Sequence, residues 1–273
     1  MTNALSAYIK RGNKKVEGWI HPTAIDMICK LSNLQKQMEI RGPVCEIGVH
    51  HGRLFILLHL LTESDEKSVA YDLFERQNEN IDKSGYGDKT IFQKNLKHHH
   101  CDLNRISINT ENSLNLTPDR IMNDCEGKVR LFSIDGGHTG ETTFNDLSLA
   151  DKTLCDGGII ILDDFFNQEW PGVAEGTCKY LSNNTGLFPV VIVENKFIFT
   201  NNKNLAKSYI DGINQSRKWY KSKKYPFFGS EVLLFFPTKK NVETLLAKTY
   251  LWESIRDKPI GKFIKRKVRA IIH

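Results

Sequence analysis

The chain has 273 residues, of which 40% are hydrophobic, and this supplies enough apolar side chains for a substantial core. Its longest apolar stretches, residues 54–61 and 159–162, are shorter than the ~20 residues of a membrane-spanning helix, and its first residues lack the apolar centre of a secretory signal. The missing signal predicts a cytoplasmic protein. The formal net charge is +6, and the six cysteines show no C-x-x-C pair and no spacing typical of a disulfide-dense or zinc-binding module, so they are predicted to be reduced thiols.

The first predicted element is a helix over residues 21–38, where apolar residues recur at helical spacing behind Pro22. Strands are predicted after it at 43–49, 68–72, 105–109, 129–135 and 157–164, with helices at 53–62 and about 141–154. Strands that alternate with helices in this way pair in parallel through right-handed crossovers. The chain is therefore expected to form an α/β fold around an open, mostly parallel sheet.

The second half of the chain changes pattern after Trp170. Residues 172–183 predict a helix, and the stretch FPVVIVENKFIFT at 188–200 predicts two strands joined at Asn195, which a tight connection makes antiparallel. Residues 202–273 are mostly helical in pattern, with one apolar strand candidate at 231–236.

Two polar segments stand apart from these elements. Residues 75–90, ERQNENIDKSGYGDKT, follow the second strand, and a loop of this length at this place favours a lid or substrate loop. From residue 256 the chain carries seven Lys or Arg against one Asp, which is typical of a solvated helical tail. Contact of residues 256–271 with an anionic membrane surface or a nucleic acid is the alternative interpretation.

The turn after the first strand predicts a nucleoside site without a phosphate chain. Gly48 and Gly52 are separated by three residues, so the second glycine of a G-x-G-x-x-G dinucleotide motif is absent. Glu46 before the turn and Asp72 at the end of the second strand are suited to bind ribose hydroxyls. Alternatively, Gly48 only permits a tight turn.

Three carboxylates follow the next two strands and predict a metal site. Asp135 closes the fourth strand, Asp163 and Asp164 close the fifth, and adjacent strands lie ~4.8 Å apart. Two carboxylates at ~4 Å repel by about 4 kcal/mol at an effective dielectric constant of 20, so the group requires a cation, protonation or basic partners. Mg²⁺ or Mn²⁺ with oxygen ligands meets this need. The alternative is that one acid caps a helix or pairs with a base, without a metal.

The histidines differ in their surroundings. His138 lies three residues beyond Asp135 and is a candidate general base, although HTGE also fits the entry to a helix in which His138 or Thr139 caps the backbone. His50 and His51 are predicted to shape the pocket at the first turn. The run HHHC at 98–101 is predicted to be a surface loop, because consecutive side chains diverge and cannot share a metal.

The motifs VCEIGVHHG, AYDLF, SIDGGH and GGIIILDDF, in this order, resemble those of the class I S-adenosylmethionine-dependent methyltransferases. The closest resemblance is to the metal-dependent O-methyltransferases, including those that modify sugar hydroxyls on natural products, and it extends from about Pro43 to Thr200. The first motif alone is common, whereas its combination with the two strand-ending acid motifs is much more specific.

The resemblance implies a Rossmann-like, doubly wound, seven-stranded sheet that is mostly parallel with an antiparallel last strand, plus helical N- and C-terminal additions. It divides the chain into an N-terminal helical segment (1–42), a methyltransferase core (43–201) and a C-terminal extension with a basic tail (202–273). The two flanking segments are expected either to cover the sheet or to form the interface of a homo-oligomer.

The resemblance also implies roles for individual residues. The turn at Glu46 and Gly48, with Gly52, would hold the methionine part of S-adenosylmethionine, and Asp72 would hold the ribose. The adenine contacts would be Asn112, where relatives often carry an acid, and Ser113.

Asp135, Asp163 and Asp164 match the metal-binding acids of these relatives, and Asp135 also belongs to the cofactor-binding and catalytic sets. Some relatives carry a histidine just after the paired acids, where this chain has Phe165, so His138 is the candidate base by its position.

The implied function is methyl transfer to a hydroxyl of a sugar, glycolipid or other small molecule. Mg²⁺ or Mn²⁺ would lower the pKa of that hydroxyl, His138 would take its proton, and the oxyanion would attack the sulfonium methyl in line. The loop 75–90 and residues 166–172 would enclose the acceptor, with Trp170 as a flat wall against a sugar ring.

Three alternative functions remain open at this point. A non-catalytic or nucleic-acid-binding protein would use the basic tail, and its binding would be sensitive to salt. An RNA methyltransferase would combine that tail with the core, although an acid-rich cleft disfavours a polyanion. A nicotinamide-dependent oxidoreductase is disfavoured by the missing phosphate-binding glycine.

Overall fold

The structure, a computed structural model, describes residues 3–183, 186–214 and 220–237, so the basic segment at 256–271 lies outside the described residues. The α-helices are α1 (Asn3–Lys10), α2 (Pro22–Gln37), α3 (Arg53–Leu60), α4 (Lys89–His98), α5 (Pro118–Cys125), α6 (Gly140–Thr153), α7 (Pro171–Asn183) and α8 (Lys203–Asn214). The strands are β1 (Val44–Ile47), β2 (Ser68–Asp72), β3 (Ile106–Thr110), β4 (Val129–Ile134), β5 (Leu154–Leu162), β6 (Phe188–Val193), β7 (Lys196–Thr200), β8 (Tyr220–Phe227) and β9 (Ser230–Pro237).

All the described strands form one sheet in the order β3-β2-β1-β4-β5-β7-β6-β9-β8. The first five strands are parallel, and β1 lies between β2 and β4, so the strand order reverses at this point. β7 runs antiparallel to both β5 and β6. The predicted Rossmann-like, mostly parallel sheet and the hairpin at Asn195 are therefore confirmed.

The prediction of seven strands is wrong, because residues 220–237 add a hairpin to the outer edge of β6. β9 contains the apolar candidate at 231–236, whereas β8 falls in a segment predicted to be mostly helical. Its turn, Phe228–Gly229, has φ angles of +44° and +69°, which belong to a tight hairpin turn rather than to a helix. The exposed Lys223 and Lys224 suit an edge strand, since edge lysines oppose pairing with other chains. The helical prediction for this extension holds for α8.

Helices cover both faces of the sheet, and the alternation of side chains along each strand explains why. Leu131 of β4 packs into a cluster with α1, α2, α3 and α8, whereas the next residue, Phe132, packs into a second cluster with α5, α6 and α7. Because successive side chains point to opposite faces, β1 and β4 are buried at every position, and most of their residues are apolar. The two layers fix the strand ends rigidly.

The structure also bears on the predictions for the cysteines, for residues 98–101 and for membrane-spanning helices. All six cysteines are free thiols, and four of them are buried. The predicted surface loop at 98–101 begins at the last residue of α4, and its Cys101 is buried. None of the described helices is both long and apolar enough to cross a lipid bilayer.

Candidate active site

A cavity of about 600 Å³ opens at the carboxyl ends of the parallel strands, where the strand order reverses. Its floor comprises the residues that follow β1, β2, β4 and β5, and the segments 17–19 and 77–85 form part of its wall. The sequence-predicted residues that line it are Glu46, Gly48, Asp72, Asn112, Ser113, Asp135, His138, Asp163 and Asp164.

Gly48 allows the ends of β1 and β4 to touch. Its φ is +82°, and a Cβ at this position would lie 1.8 Å from the carbonyl oxygen of Asp135. Gly52 has a different role, since its φ is +88° and a Cβ there would lie 2.5 Å from the ring of Phe92. Gly52 is not among the described residues that line the cavity. It therefore supports the turn from below, and the structure does not bring it to the predicted cofactor contacts.

Asp72 is held at the end of β2 by the backbone of its surroundings. Its Oδ2 accepts a hydrogen bond from the backbone N–H of His50 at 2.8 Å, and its Oδ1 accepts one from that of Phe74 at 2.7 Å. Burial raises the pKa of Asp72, and these hydrogen bonds oppose the shift. The carboxylate is thus fixed at the cavity wall.

Asn112 and Ser113 meet at a short helical turn after β3. Asn112 Oδ1 accepts a hydrogen bond from the backbone N–H of Leu114 at 3.0 Å. Ser113 is buried and hydrogen-bonded to the buried Asp146 of α6, whose pKa burial raises to about 7. Both residues are positioned by local contacts beneath the cavity.

Glu46 lies in the centre of β1 and is almost completely buried. Ser133 Oγ donates to its Oε1 at 3.3 Å, while its Oε2 has no hydrogen-bond partner among the described residues. Burial raises the pKa of Glu46 to about 8, although Lys196 and Ser133 oppose the shift. Glu46 therefore presents a polar atom without a protein partner at the cavity floor.

The three predicted metal-binding acids separate into two groups. Asp135, Asp164 and His138 each offer a ligand atom, and these atoms lie within 4.8 Å of one another. Asp163 instead forms a buried ion pair with Lys196, the first residue of β7. The pairing follows from the sheet, because the register of β5 with β7 sets Leu162 opposite Phe197. The alternative that one acid pairs with a base applies to Asp163.

The charges of this region follow from burial and contact. Burial and then repulsion from Asp163 raise the pKa of Asp135 well above its ordinary value, although Lys196 opposes the shift. Burial would lower the pKa of Lys196, but attraction to Asp163 and Asp135 outweighs it and the pKa is raised. Lys196 is therefore a buried cation beside these acids, and the sequence motifs gave no sign of it.

Asp164 is held by two side-chain amides. Its φ is +59°, and its Oδ1 accepts hydrogen bonds from the side-chain amides of Asn167 at 3.1 Å and Asn195 at 2.6 Å. Burial opposes ionisation, but donation from His138, Asn167 and Asn195 outweighs it, so the pKa of Asp164 is lowered. Asp164 is the ionised carboxylate that faces His138.

The donor set is compatible with a divalent cation. Two carboxylates supply the oxygen ligands that Mg²⁺ or Mn²⁺ prefers, and a cation would offset the cost of ionising Asp135. The imidazole of His138 lies in the same group but is a softer ligand, more typical of zinc or iron. The residues therefore fit a hard cation on the carboxylates with the imidazole beside it.

His138 is enclosed on both ring nitrogens and on one face. Its Nδ1 lies 2.8 Å from Asp82 Oδ2, its Nε2 lies 3.3 Å from Asp164 Oδ2, and its ring stacks on Trp170 with centroids 4.3 Å apart. Burial would lower the pKa of His138, but hydrogen bonds to Asp164 and Asp82 raise it. The helix-capping alternative falls to Thr139, whose side chain accepts from the backbone of Thr142 at the start of α6.

His50 and His51 divide between the cavity and the core. His50 lines the cavity and lies against the ring of Trp19, at 5.6 Å between centroids. His51 is buried behind it. The functional candidates that the sequence interpretation missed are Asp82, Lys196 and Asn195, of which Asn195 had been noted only as a turn residue.

Residues 45–165 match the model of a family described as a methyltransferase domain. The chain is similar to the structure of the O-methyltransferase NovP, with a TM-score of 0.57 and 13% identity over 67% of this chain and 81% of that chain. No curated protein sequence is significantly similar to the chain.

Two further solved structures share the fold. CalS11, described as a TDP-rhamnose 3′-O-methyltransferase of calicheamicin biosynthesis, has a TM-score of 0.51 and 18% identity over 71% of this chain and 86% of that chain. The O-methyltransferase from Bacillus cereus in complex with S-adenosylhomocysteine has a TM-score of 0.50 and 16% identity over 73% of this chain and 90% of that chain. These likenesses show a common fold.

Proposed function

We propose that the chain is a class I S-adenosylmethionine-dependent methyltransferase that methylates a hydroxyl oxygen of a sugar or another small molecule with the help of a divalent cation. The observation that carries the proposal is the group Asp135, Asp164 and His138 at the floor of the cavity. It combines two acidic ligands with one candidate base.

The cofactor would lie along the β1 and β2 side of the cavity. Glu46 and Gly48 line this side, where the methionine part would lie. Asp72, already fixed by two backbone amides, would accept hydrogen bonds from the ribose hydroxyls. Asn112 and Ser113 would lie beside the adenine. Gly52 supports this wall without contacting the cofactor.

Asp135 and Asp164 would hold Mg²⁺ or Mn²⁺. Asp163 would affect only the charge of the site, through its ion pair with Lys196. A bound divalent cation lowers the pKa of a hydroxyl that it contacts, typically by several units. Lys196 offsets the charge of Asp163, so Asp164 and an Asp135 ionised by the cation would together supply two negative charges for one divalent ion.

His138 would take the proton of the acceptor hydroxyl at Nε2, and Asp164 and Asp82 would stabilise the resulting imidazolium. The acceptor oxygen would then attack the sulfonium methyl in line. Alignment of the two reactants can lower such a barrier by up to ~7 to 11 kcal/mol. Trp170 has one face against His138, so in this proposal it positions the base as well as bounding the acceptor space.

The charge of the cavity favours an acceptor without phosphate. Ten carboxylic acids line it, whereas Arg53 is the single Lys or Arg among the described residues of the lining. Phosphate recognition needs cationic donors or a helix N-terminus that faces the ligand. We therefore propose a neutral sugar or phenol, or an amine-bearing acceptor, and the nucleic-acid alternatives gain no support from the described residues.

The test is transfer of a radiolabelled methyl group from S-adenosylmethionine to a panel of neutral glycosides, amino glycosides and catechols, with Mg²⁺ or with EDTA. Transfer that EDTA abolishes, and that Asp164→Asn reduces by about 100-fold or more, supports the proposal. The matched control is Asp65→Asn, at an exposed acid outside the cavity lining. Full activity in EDTA would contradict the role of the cation.

A further inference from the structure

One arginine interrupts the acidic lining of the cavity. Among the described residues of that lining, Arg53 is the single Lys or Arg beside ten carboxylic acids. A guanidinium is always charged, and its N–H donors form a planar fork that matches the two oxygens of a carboxylate. Arg53 is therefore the described lining residue best suited to bind an anionic group.

Arg53 is held in place by two segments from the start of the chain. Its Nη1 donates a hydrogen bond to the backbone carbonyl of Gly18, and its own backbone carbonyl accepts one from the hydroxyl of Tyr8 at 2.6 Å. Gly18 packs so closely that a Cβ at this position would lie 3.3 Å from Cβ of Arg53. Both the backbone and the side chain of Arg53 are thus positioned by the protein itself.

The guanidinium keeps donor capacity beyond its contact with Gly18. An arginine side chain has five N–H donors, and that contact uses one of them. The Nε atom of Arg53 is buried and has no hydrogen-bond partner among the residues that the structure describes. Buried donors are normally paired in native proteins, so Arg53 has the unfilled hydrogen-bonding capacity expected of a ligand-binding residue.

The backbone at Arg53 has the same preference for negative charge. Arg53 is the first residue of α3, and Gly52 before it provides no side-chain cap. The first N–H groups of a helix have no partner within the helix and carry partial positive charge, which favours an anion at this end. Leu54, the second residue of α3, also lines the cavity. The side chain of Arg53 and the start of α3 therefore favour an anion in the same part of the cavity.

We propose that Arg53 binds the carboxylate of the methionine part of S-adenosylmethionine, which is the one carboxylate of that cofactor. Arg53 ends the turn that begins at Gly48, where the methionine part would lie. The same turn contacts the proposed ribose site, because the backbone N–H of His50 donates to Asp72 Oδ2. The inference rests on the proposed function insofar as the cavity binds this cofactor. It assigns the single cation of the described lining to the cofactor rather than to the methyl acceptor.

The experiment is calorimetric titration of two ligands into the full chain without an acceptor: S-adenosylhomocysteine, and its decarboxylated analogue, which lacks only the carboxylate. Arg53→Met should weaken binding of S-adenosylhomocysteine by about 10-fold or more, because a charge-assisted hydrogen bond is lost. Its affinity for the decarboxylated analogue should equal that of the wild type. The matched control is Arg41→Met, at an exposed arginine before β1 and outside the cavity lining, which should bind both ligands as the wild type does.

An equal loss for both ligands would overturn the inference, since Arg53 would then act only by holding Gly18. Arg53→Gln keeps a donor for the Gly18 carbonyl and should show the same selective loss, so it decides the question if Arg53→Met does not fold. Binding of S-adenosylhomocysteine that these variants leave unchanged would contradict the role of Arg53 and retain the proposed function. No binding of either ligand by the folded wild type would contradict the proposed function, and the inference with it.

Discussion

Replacement of Lys196 by methionine tests whether the buried cation holds the acid group together. Lys196 has 2% of its side chain exposed and pairs with Asp163, which has 8% exposed. Removal of one partner of a buried pair leaves the other charge without compensation, which costs about 3–5 kcal/mol. Coulomb's law gives a similar figure, about 4 kcal/mol for two unit charges ~4 Å apart at an effective dielectric constant of 20. We therefore expect Lys196→Met to lower the free energy of unfolding by about 4 kcal/mol.

The assay is urea denaturation at pH 7, followed by far-ultraviolet circular dichroism. Lys207→Met, the same change at an exposed lysine of α8, should alter the unfolding free energy by less than about 0.5 kcal/mol. The double variant Lys196→Met with Asp163→Asn should recover much of the loss, because it removes the stranded charge. A loss below about 1 kcal/mol in Lys196→Met, or a double variant no more stable than the single one, would refute the reasoning.

The Gly48 turn, the buried Asp146 and the acid group can each be perturbed separately. Gly48→Ala should lower the free energy of unfolding by more than about 2 kcal/mol and abolish S-adenosylhomocysteine binding in a calorimetric titration, because its Cβ would lie 1.8 Å from the Asp135 carbonyl oxygen. The control Gly127→Ala should keep binding, because Gly127 also has a positive φ but no atom lies within 4 Å of its Cβ position. Burial raises the pKa of Asp146 to about 7 from an ordinary 3.8, so between these pH values the folded state keeps a proton that the unfolded chain has lost. The free energy of unfolding should therefore fall by up to about 4 kcal/mol as pH rises from ~4 to 7. The urea midpoint of Asp146→Asn should fall less over this range, and parallel curves for the variant and the wild type would contradict the assignment. Mn²⁺ at ~100 times its dissociation constant should stabilise the wild type by about 2.7 kcal/mol in thermal melts, with no such gain in Asp164→Asn, whereas an equal gain in both would place the ion elsewhere.

The strand-ending acids could be predicted because they depend on local patterns. Each parallel strand reads as an apolar run that stops at a polar residue, and the carboxyl ends of such strands meet at one edge. Asp72, Asp135 and Asp164 were found in this way. The same reasoning placed Asp163 in the group. It could not show that the Asp163 side chain pairs with Lys196, because that contact depends on β7 lying beside β5.

Lys196 and Asp82 could not be predicted because each reaches the site from a distant part of the chain. Lys196 follows a hairpin turn, and only the β5–β7 register brings it beside Asp163. Asp82 lies in a long polar loop in which any of several acids could have turned inward. The edge strand β8 was missed for a different reason, since a lysine-rich strand has no apolar alternation to reveal it.

We propose that the cavity binds S-adenosylmethionine through Asp72, beside the acid group that would hold a cation. Calorimetric titration of S-adenosylhomocysteine into the full chain, into Asp72→Ala and into the control Asp65→Ala tests it most directly. We expect binding to the wild type and to Asp65→Ala, with an affinity at least about 10-fold lower in Asp72→Ala, which is the ~1.4 kcal/mol expected for a hydrogen-bonded carboxylate. No binding by the folded wild type, or equal affinity in Asp72→Ala, would contradict it.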